Sequence, residues 1–185
     1  MKKIAPILMA ALCALVASAQ VQDTNSLKTD LGVFETQTGT VLIKGFSQIG
    51  LMTVGTDVIT VYCKQSSDIT TGRKADGLAI VISRDASPRK RILVDYDEID
   101  SLLDSINYLG KISYDVTQLA SFEASYSTKR GFSVVANGLR RQGSIQESLE
   151  YGDDVRILLT ADQMAQLSRI IEQAKKNLDT LRNPK

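Results

Sequence analysis

Residues 89–110 read RKRILVDYDEIDSLLDSINYLG, and the hydrophobic period changes within this stretch. Up to Asp95 the composition is that of a β-strand, whereas the apolar residues that follow recur every three or four positions, as in an amphipathic helix. Asp95 and Glu98 have the spacing of a capping box. We therefore predict a helix over residues 96–109, ended by Gly110. Its apolar stripe consists of Ile99, Leu102, Leu103, Ile106 and Leu109.

The chain before this helix alternates runs rich in Val, Ile, Thr and Phe with turn residues, a pattern typical of short antiparallel strands. Residues 66–74 read as an exposed loop, and residues 86–88 read as a further connection. Some of the glycines in the first part are expected at bulges rather than turns. The predicted strands are residues 31–36, 40–47, 50–55, 57–65, 76–84 and 89–94.

The second half of the chain repeats this plan. Residues 122–127 alternate apolar and polar side chains and are followed by a turn at residues 129–131, which predicts a hairpin with the strand that begins at Phe132. Thr160 and Gln163 form a second capping box at the start of the final helix. Further strands are predicted at residues 143–149 and 154–159. The final helix has a stripe of Met164, Leu167, Ile171, Ala174, Leu178 and Leu181.

The fold class that follows is α+β, with antiparallel strands in two runs, each followed by one amphipathic helix that packs on the sheet. Both helix starts have a pair of apolar residues placed to form a hydrophobic staple, Val94 with Ile99 and Leu159 with Met164. This common element order suggests an internal structural repeat. The hypothesis rests on the order of elements and not on residue identity between the halves.

The N-terminus has the pattern of a cleavable signal peptide. Lys2 and Lys3 precede an apolar run that is shorter than a membrane span, and small residues end the segment at Ala19. We predict a signal peptide over residues 1–19, a flexible lead-in over residues 20–30 and one α+β domain over residues 31–185. Removing 19 of the 185 residues leaves 166, enough for a sizeable core. The expected location is the periplasm or the exterior, with no membrane span after cleavage.

Composition removes several kinds of chemistry. The chain has no histidine, and the predicted mature protein keeps Cys63 as its one cysteine, so histidine-based triads, thiolate–imidazole pairs and the common zinc sites are excluded. Cys63 is expected to be a small buried hydrophobe. The mature chain has 20 Lys and Arg against 21 Asp and Glu once Lys2 and Lys3 are removed from the 22 in the full sequence. This near-neutral charge disfavours nucleic acid as a partner.

Two charged clusters stand out in the sequence. The acidic cluster superficially resembles a calcium loop, but the sixth position is Asp100 instead of glycine, and carboxylates are favoured in a first helical turn. The basic residues could bind an anionic sugar, a phospholipid headgroup or an acidic partner, although charge that guards a strand edge explains them without a ligand. The acidic residues are Asp95, Asp97, Glu98, Asp100 and Asp104, and the basic residues are Arg84, Arg89, Lys90, Arg91, Arg140 and Arg141.

Three segments resemble a family of uncharacterised, exported bacterial proteins: residues 94–99, the stretch FEASYSTKRGF at residues 122–132, and the start of the final helix at Leu159-Thr160. The resemblance covers roughly the mature domain. It implies export and an α+β domain, and it implies neither an activity nor catalytic residues, because the family has no assigned activity.

Three functions remain open from the sequence. The first is a non-enzymatic binding or envelope-associated module whose partner is a protein or an envelope component, bound through a sheet face, a strand edge or a groove beside the helices. The second is a carrier of a small apolar ligand in a cavity between sheet and helix. The third is an acid/base enzyme with paired carboxylates, which requires no histidine. No catalytic residue, cofactor site or metal site is predicted.

Overall fold

The computed structural model describes residues 29–85 and 87–183, without the side chains of Pro88 and Arg89. The predicted signal peptide, and the predicted lead-in up to residue 28, lie outside the described residues. Thr29 and Asp30, the last two residues of the predicted lead-in, are the N-cap and the first residue of the first helix.

The first half of the fold is a four-stranded antiparallel sheet followed by a helix, and a short helix precedes the sheet. The strands lie in sequence order, so each pairs with its neighbour in the chain. We call this the first sheet. Its elements are helix α1 (Asp30–Glu35), strands β1 (Leu42–Val54), β2 (Asp57–Asp68), β3 (Lys74–Arg84) and β4 (Ser87–Asp95), a 3-10 turn (Tyr96–Glu98) and helix α2 (Ile99–Leu109).

The second half has the same order of four antiparallel strands and a helix. These strands form the second sheet. Its elements are strands β5 (Ser121–Ser127), β6 (Phe132–Leu139), β7 (Ser144–Tyr151) and β8 (Val155–Leu159), and helix α3 (Ala161–Arg182). The α+β class with two antiparallel runs is therefore confirmed, and the two halves share one element order.

Both predicted capping boxes are confirmed. The carboxylate of Glu98 accepts from the amide of Asp95 at 3.1 Å, and α2 ends at Leu109 with Gly110 as its C-cap. At the start of α3, Thr160 Oγ1 accepts from the amide of Gln163 at 3.2 Å while Gln163 accepts from that of Thr160 at 2.9 Å.

Several strand predictions for the first half are wrong in detail. The predicted strand at residues 31–36 is wrong: helix α1 (Asp30–Glu35) forms there, because Thr29 caps the helix by accepting from the amide of Gly32 at 2.9 Å. The predicted strands 40–47 and 50–55 are one strand, β1, interrupted by a register shift between Gln48 and Gly50. The loop predicted at residues 66–74 is shorter, because β2 continues to Asp68 and β3 begins at Lys74. The connection predicted at residues 86–88 is also shorter, because β4 already begins at Ser87.

Helices α2 and α3 each pack on the sheet of the other half, whereas α1 packs on the first sheet. Helix α3 crosses β1, β2 and β3 of the first sheet, whereas α2 packs on β5 and β6 of the second sheet and against α3. The apolar side chains between the sheets and helices therefore form one cluster drawn from both halves. Five of the six predicted stripe residues of α3 are buried, but Leu181 is exposed because it lies near the C-terminal end of the helix.

The two faces of the first sheet have different surroundings. Along β2, Ile59, Val61 and Cys63 point into the core, so the residues between them point to the opposite face, which we call the outer face. Helix α1 packs on β2, β3 and β4 and buries Leu31 and Phe34. It covers part of the outer face and leaves the rest open.

Candidate functional site

The uncovered part of the outer face forms a groove with a volume of about 610 Å³. Its floor is formed by alternate residues of β2 and β3, with Thr60 and Ala79 buried and Tyr62, Val81 and Ser83 half-buried. The floor thus combines apolar groups with three hydroxyl groups. This volume is within the range of about 300–1,000 Å³ that small ligands occupy in proteins.

One wall of the groove contains an exposed aromatic ring next to two positive charges. Phe46 of β1 lines the groove, and its ring centroid is 4.7 Å from Lys64 Nζ and 6.0 Å from the Arg91 guanidinium carbon. Cations near a ring face at such distances are attracted by its quadrupole. The ring is therefore held in place by charge as well as by packing.

The charge of Lys64 is neutralised by helix α1. Its buried ammonium group donates to the carboxylate of Glu35 at 2.8 Å, and Ser66 donates to the same carboxylate. Burial alone would raise the pKa of Glu35, but the hydrogen bonds from Lys64 and Ser66 bring it below its usual value. This pair fixes α1 on the sheet. Two further cations, Lys90 and Arg91, line the groove; Lys90 is paired with Asp154 at 3.2 Å, and Arg91 is exposed.

The predicted basic cluster is divided among different roles. Arg84 forms a two-pronged ion pair with Asp57 at 2.9 and 3.0 Å, and Lys90 lies 3.2 Å from Asp154. Arg91 reaches the groove, while the side chain of Arg89 is outside the described part of the structure. Arg89, Lys90 and Arg91 lie on β4, an edge strand of the first sheet, whereas Arg84 lies on the inner strand β3.

Arg140 has a structural role in the second half, and Arg141 is exposed. The guanidinium group of Arg140 donates to the backbone carbonyls of Leu119, Tyr114 and Thr117. It also lies 5.6 Å from the centroid of the Tyr114 ring. These contacts hold the segment that joins α2 to β5 against the end of the second sheet.

The acidic cluster contains no metal site: among residues 29–85 and 87–183, no three His, Cys, Asp or Glu side chains are grouped to hold an ion. Asp95 and Glu98 are buried and form hydrogen bonds to backbone amides instead. Cys63 is buried as predicted, and burial raises the pKa of its thiol to about 11. The thiol lies 3.1 Å from the carbonyl oxygen of Ala174 in α3.

Phe46 and Tyr62 line the groove, and no motif in the sequence indicates either of them. A usable signal was present in β2, where the period of two places Tyr62 and Thr60 on the face opposite Ile59 and Val61. The composition of this run predicts a strand but does not show which of its faces is covered, because residues on both faces are apolar or carry hydroxyl groups. Only tertiary structure shows that α1 leaves this part of the outer face uncovered.

A second, more polar cavity of about 410 Å³ lies on the outward face of the second sheet. Ser121, Glu123, Asn137 and Gln146 contribute polar groups to its lining. It has no cation among its described lining residues, and its aromatic ring, Phe122, packs edge-on against Tyr114 with centroids 5.8 Å apart. We consider the groove on the first sheet the better candidate, because it combines an exposed ring, hydroxyl groups and a cation.

Glu147 is a carboxylate in an unfavourable position. It is paired with Ala136 and Leu159 on the core-facing side of β7, and Oε2 is buried with no hydrogen-bond partner among the described residues. Burial raises its pKa above the usual 4.5. The folded state thus favours the protonated form of Glu147. The resulting stability is fully present below pH 4.5 and is lost as the pH rises through the higher pKa of the folded state.

We expect Glu147→Gln to raise the free energy of unfolding at pH 7 by about 1 kcal/mol, since an unpaired buried charge costs more than an unpaired amide. The difference from wild type should shrink as the pH falls below 4.5, because Glu147 then becomes protonated in the unfolded state as well as in the folded state. Urea denaturation at pH 7 and pH 4 measures both values. Glu123→Gln, on the exposed side of β5, is the control and should change neither.

The fold and groove together define an α+β protein with two interlocked four-strand-and-helix halves and an open, aromatic and cationic groove on one sheet. Comparisons of the chain with protein-family models, with curated proteins and with solved structures give no match. The resemblance to exported bacterial proteins thus gains no support from them. None of the helices in the described residues is long and apolar enough to cross a membrane.

Proposed function

We propose that the protein is a non-enzymatic, exported binding module whose groove on the first sheet takes a peptide segment of a partner protein. The observation that carries this proposal is the side-chain composition of the groove. An exposed phenyl ring, three hydroxyl groups and the Arg91 guanidinium group share one open surface.

The partner segment is expected to combine an apolar side chain with a carboxylate. Phe46, Tyr62 and Val81 offer contact area to an apolar side chain, while the hydroxyl groups of Thr60 and Ser83 can bond to polar groups of the segment. None of the described lining residues is a carboxylate, so Arg91 has no competing anion within the groove. Arg pairs strongly with carboxylates because its guanidinium group donates two parallel hydrogen bonds.

The open shape of the groove favours a segment of a larger partner over a small enclosed ligand. The interior between the sheets and helices is occupied by buried apolar side chains, whereas the groove lies on the surface and faces solvent. Export of the chain, which this proposal includes, rests on the pattern of residues 1–19. The partner would then be an envelope or extracellular protein.

Fluorescence anisotropy with two labelled peptides tests the proposal. One peptide alternates Glu and Phe, and the other alternates Lys and Phe at the same length. We expect the acidic peptide to bind at least about tenfold more tightly than the basic one, since a hydrogen bond to a charged group contributes about 1.5–3 kcal/mol. Arg91→Glu should weaken binding of the acidic peptide by a similar factor.

Arg156→Glu is the matched control. Arg156 is also an exposed arginine on an edge strand, but this strand is β8 of the second sheet. Its side chain lies on the outward side of β8 and pairs with Glu150 at 3.1 Å. This variant should bind the acidic peptide like wild type. Equal binding of both peptides, no binding of either, or equal losses in the two variants would each refute the proposed groove.

A further inference from the structure

Among the residues that the structure describes, no strand pairs with the outer side of the first seven residues of β1, so these residues form a strand edge. Residues 42–48 pair with β2 on one side, and residues 43–48 are all exposed. Two large apolar side chains of this segment, Ile43 and Phe46, are exposed, and so is Val41 just before it. Such an edge presents unpaired backbone groups and apolar surface together, which favours pairing with another strand.

The opposite edge of the same sheet is protected. Strand β4 contains Pro88, which has no amide hydrogen to donate. The next three residues of the strand are the basic residues Arg89, Lys90 and Arg91. Strand β1 has no proline and a single charged residue, Lys44, in its 13 residues. The ammonium group of Lys44 is itself 3.6 Å from Glu35. The protective features are thus confined to β4.

The remainder of β1 is already in contact with the rest of the fold. An atom added at Gly50 would lie 3.1 Å from the side chain of Ile170 in α3, and Met52 is buried in the core. Strand β8 also lies beside β1. Within β1, residues 42–48 are therefore the part of the described strand edge that is open to a new strand.

We infer that two copies of the chain pair antiparallel through residues 42–48, so that their first sheets form one continuous eight-stranded sheet. A two-fold axis perpendicular to the sheet keeps each side chain on its own face and places residues of the same face opposite one another. An axis at Lys44 would oppose two like charges, which is destabilising. An axis at Gly45 or at Phe46 avoids this contact.

The axes at Gly45 and at Phe46 both give favourable contacts. The axis at Gly45 places Lys44 opposite Phe46 of the second copy, a cation beside a ring, twice by symmetry. The axis at Phe46 places the two rings opposite each other, and aromatic pairs across strands are stabilising. Because β4 is protected, no further copies add at the other edge, and the assembly closes as a dimer rather than a filament.

Sedimentation equilibrium of the mature protein tests this inference. We expect a monomer–dimer equilibrium in wild type and, in Phe46→Lys, a dissociation constant at least about tenfold higher, because the substitution adds like charges around the axis. Leu51→Lys is the matched control, since Leu51 lies on the same strand and is 51% exposed against 50% for Phe46, but is outside the free edge. A monomeric wild type, or equal effects in both variants, overturns the inference.

Disulfide trapping provides a second readout that does not depend on affinity. Gly45→Cys introduces no clash, since the nearest atom to an added Cβ is the carbonyl oxygen of Gln65 at 3.8 Å. Directly opposed residues have Cα atoms about 4.5–5.5 Å apart, within disulfide range. We expect mild oxidation to trap covalent dimers of Gly45→Cys or Phe46→Cys but not of Thr53→Cys. No trapping at either edge position overturns the pairing.

The inference is independent of the proposed function. Arg91→Glu should abolish selective peptide binding and leave the dimer intact. The Arg91 guanidinium carbon lies 6.0 Å from the Phe46 ring centroid, but the Arg91 backbone is on β4, at the far edge of the sheet, and takes no part in pairing through residues 42–48. A dimer without peptide binding would refute only the groove, and peptide binding by a monomer would refute only the edge pairing.

Discussion

Asp95→Ala is expected to lower the free energy of unfolding by about 3–4 kcal/mol, since loss of a buried charged acceptor leaves its donors unpaired. The Asp95 carboxylate accepts from the amides of Asp30 at 2.7 Å and Leu31 at 3.0 Å, and lies 3.3 Å from Lys129 Nζ. The carboxylate is almost completely buried. Urea denaturation at pH 7 measures the loss. The slope of the free energy of unfolding against urea concentration should be the same in the variant and in wild type, which shows that both unfold from the same folded state.

Asp97→Ala is the control for this prediction. Asp97 also pairs with Lys129, at 2.9 Å, but its side chain is 67% exposed. An exposed ion pair contributes about 0–1 kcal/mol, so the loss should be small. Equal losses in the two variants would show that the ion pair with Lys129 matters and that the amides of α1 do not.

Asp95 is important because it belongs to a cluster that joins three parts of the chain. Glu98 accepts from the amide of Lys129 at 2.6 Å, in the turn between β5 and β6. Hydrogen bonding to Asp97, and then to Asp95, keeps the pKa of Lys129 above its usual value despite partial burial. Helix α1, the start of α2 and the second sheet therefore meet at one set of carboxylates.

The capping boxes were predictable because they depend on residues three positions apart. The additional role of Asp95 was not, because its partners Asp30 and Leu31 are 65 and 64 residues away in sequence. For the same reason the sequence favoured a strand at residues 31–36. A helix of six residues is too short to be stable alone and forms here because Thr29 and Asp95 satisfy its first amides.

The apolar stripes predicted two helices but not the sheets that they cover. A stripe such as that of α3 predicts which residues are buried but not which residues they contact. The packing of α2 and α3 on the sheet of the opposite half could therefore be found only in the structure. The exposure of Leu181 follows from the same limit, since the stripe continues after the contact with the sheet ends.

The candidate groove was only partly predictable. Arg91 was identified as part of a basic cluster, but Phe46 and Tyr62 have no motif. Their importance comes from the position of α1, which covers one part of the outer face through Leu31 and Phe34 and leaves the other part open. Phe46 and Tyr62 therefore belong to the candidate groove because α1 does not cover them.

Gly77→Ala is expected to destabilise the fold by about 3 kcal/mol, through a clash that side-chain motion cannot relieve. Gly77 lies in β3 opposite Asp95 of β4. A Cβ atom at this position would be 2.2 Å from the backbone oxygen of Val94 and 3.3 Å from Cα of Asp95. Either strand must move, and movement of β4 displaces the Asp95 carboxylate from the amides of α1.

Gly45→Ala is the control, because Gly45 is also a glycine within a strand of the first sheet but its added Cβ would be 3.8 Å from the nearest atom, an ordinary contact. Its effect should be within about 0.5 kcal/mol of zero. Since Gly77→Ala acts partly through Asp95, the double variant Gly77→Ala/Asp95→Ala should lose less stability than the sum of the single variants. Additive losses would show that the glycine supports the β3–β4 pairing alone and has no part in placing Asp95.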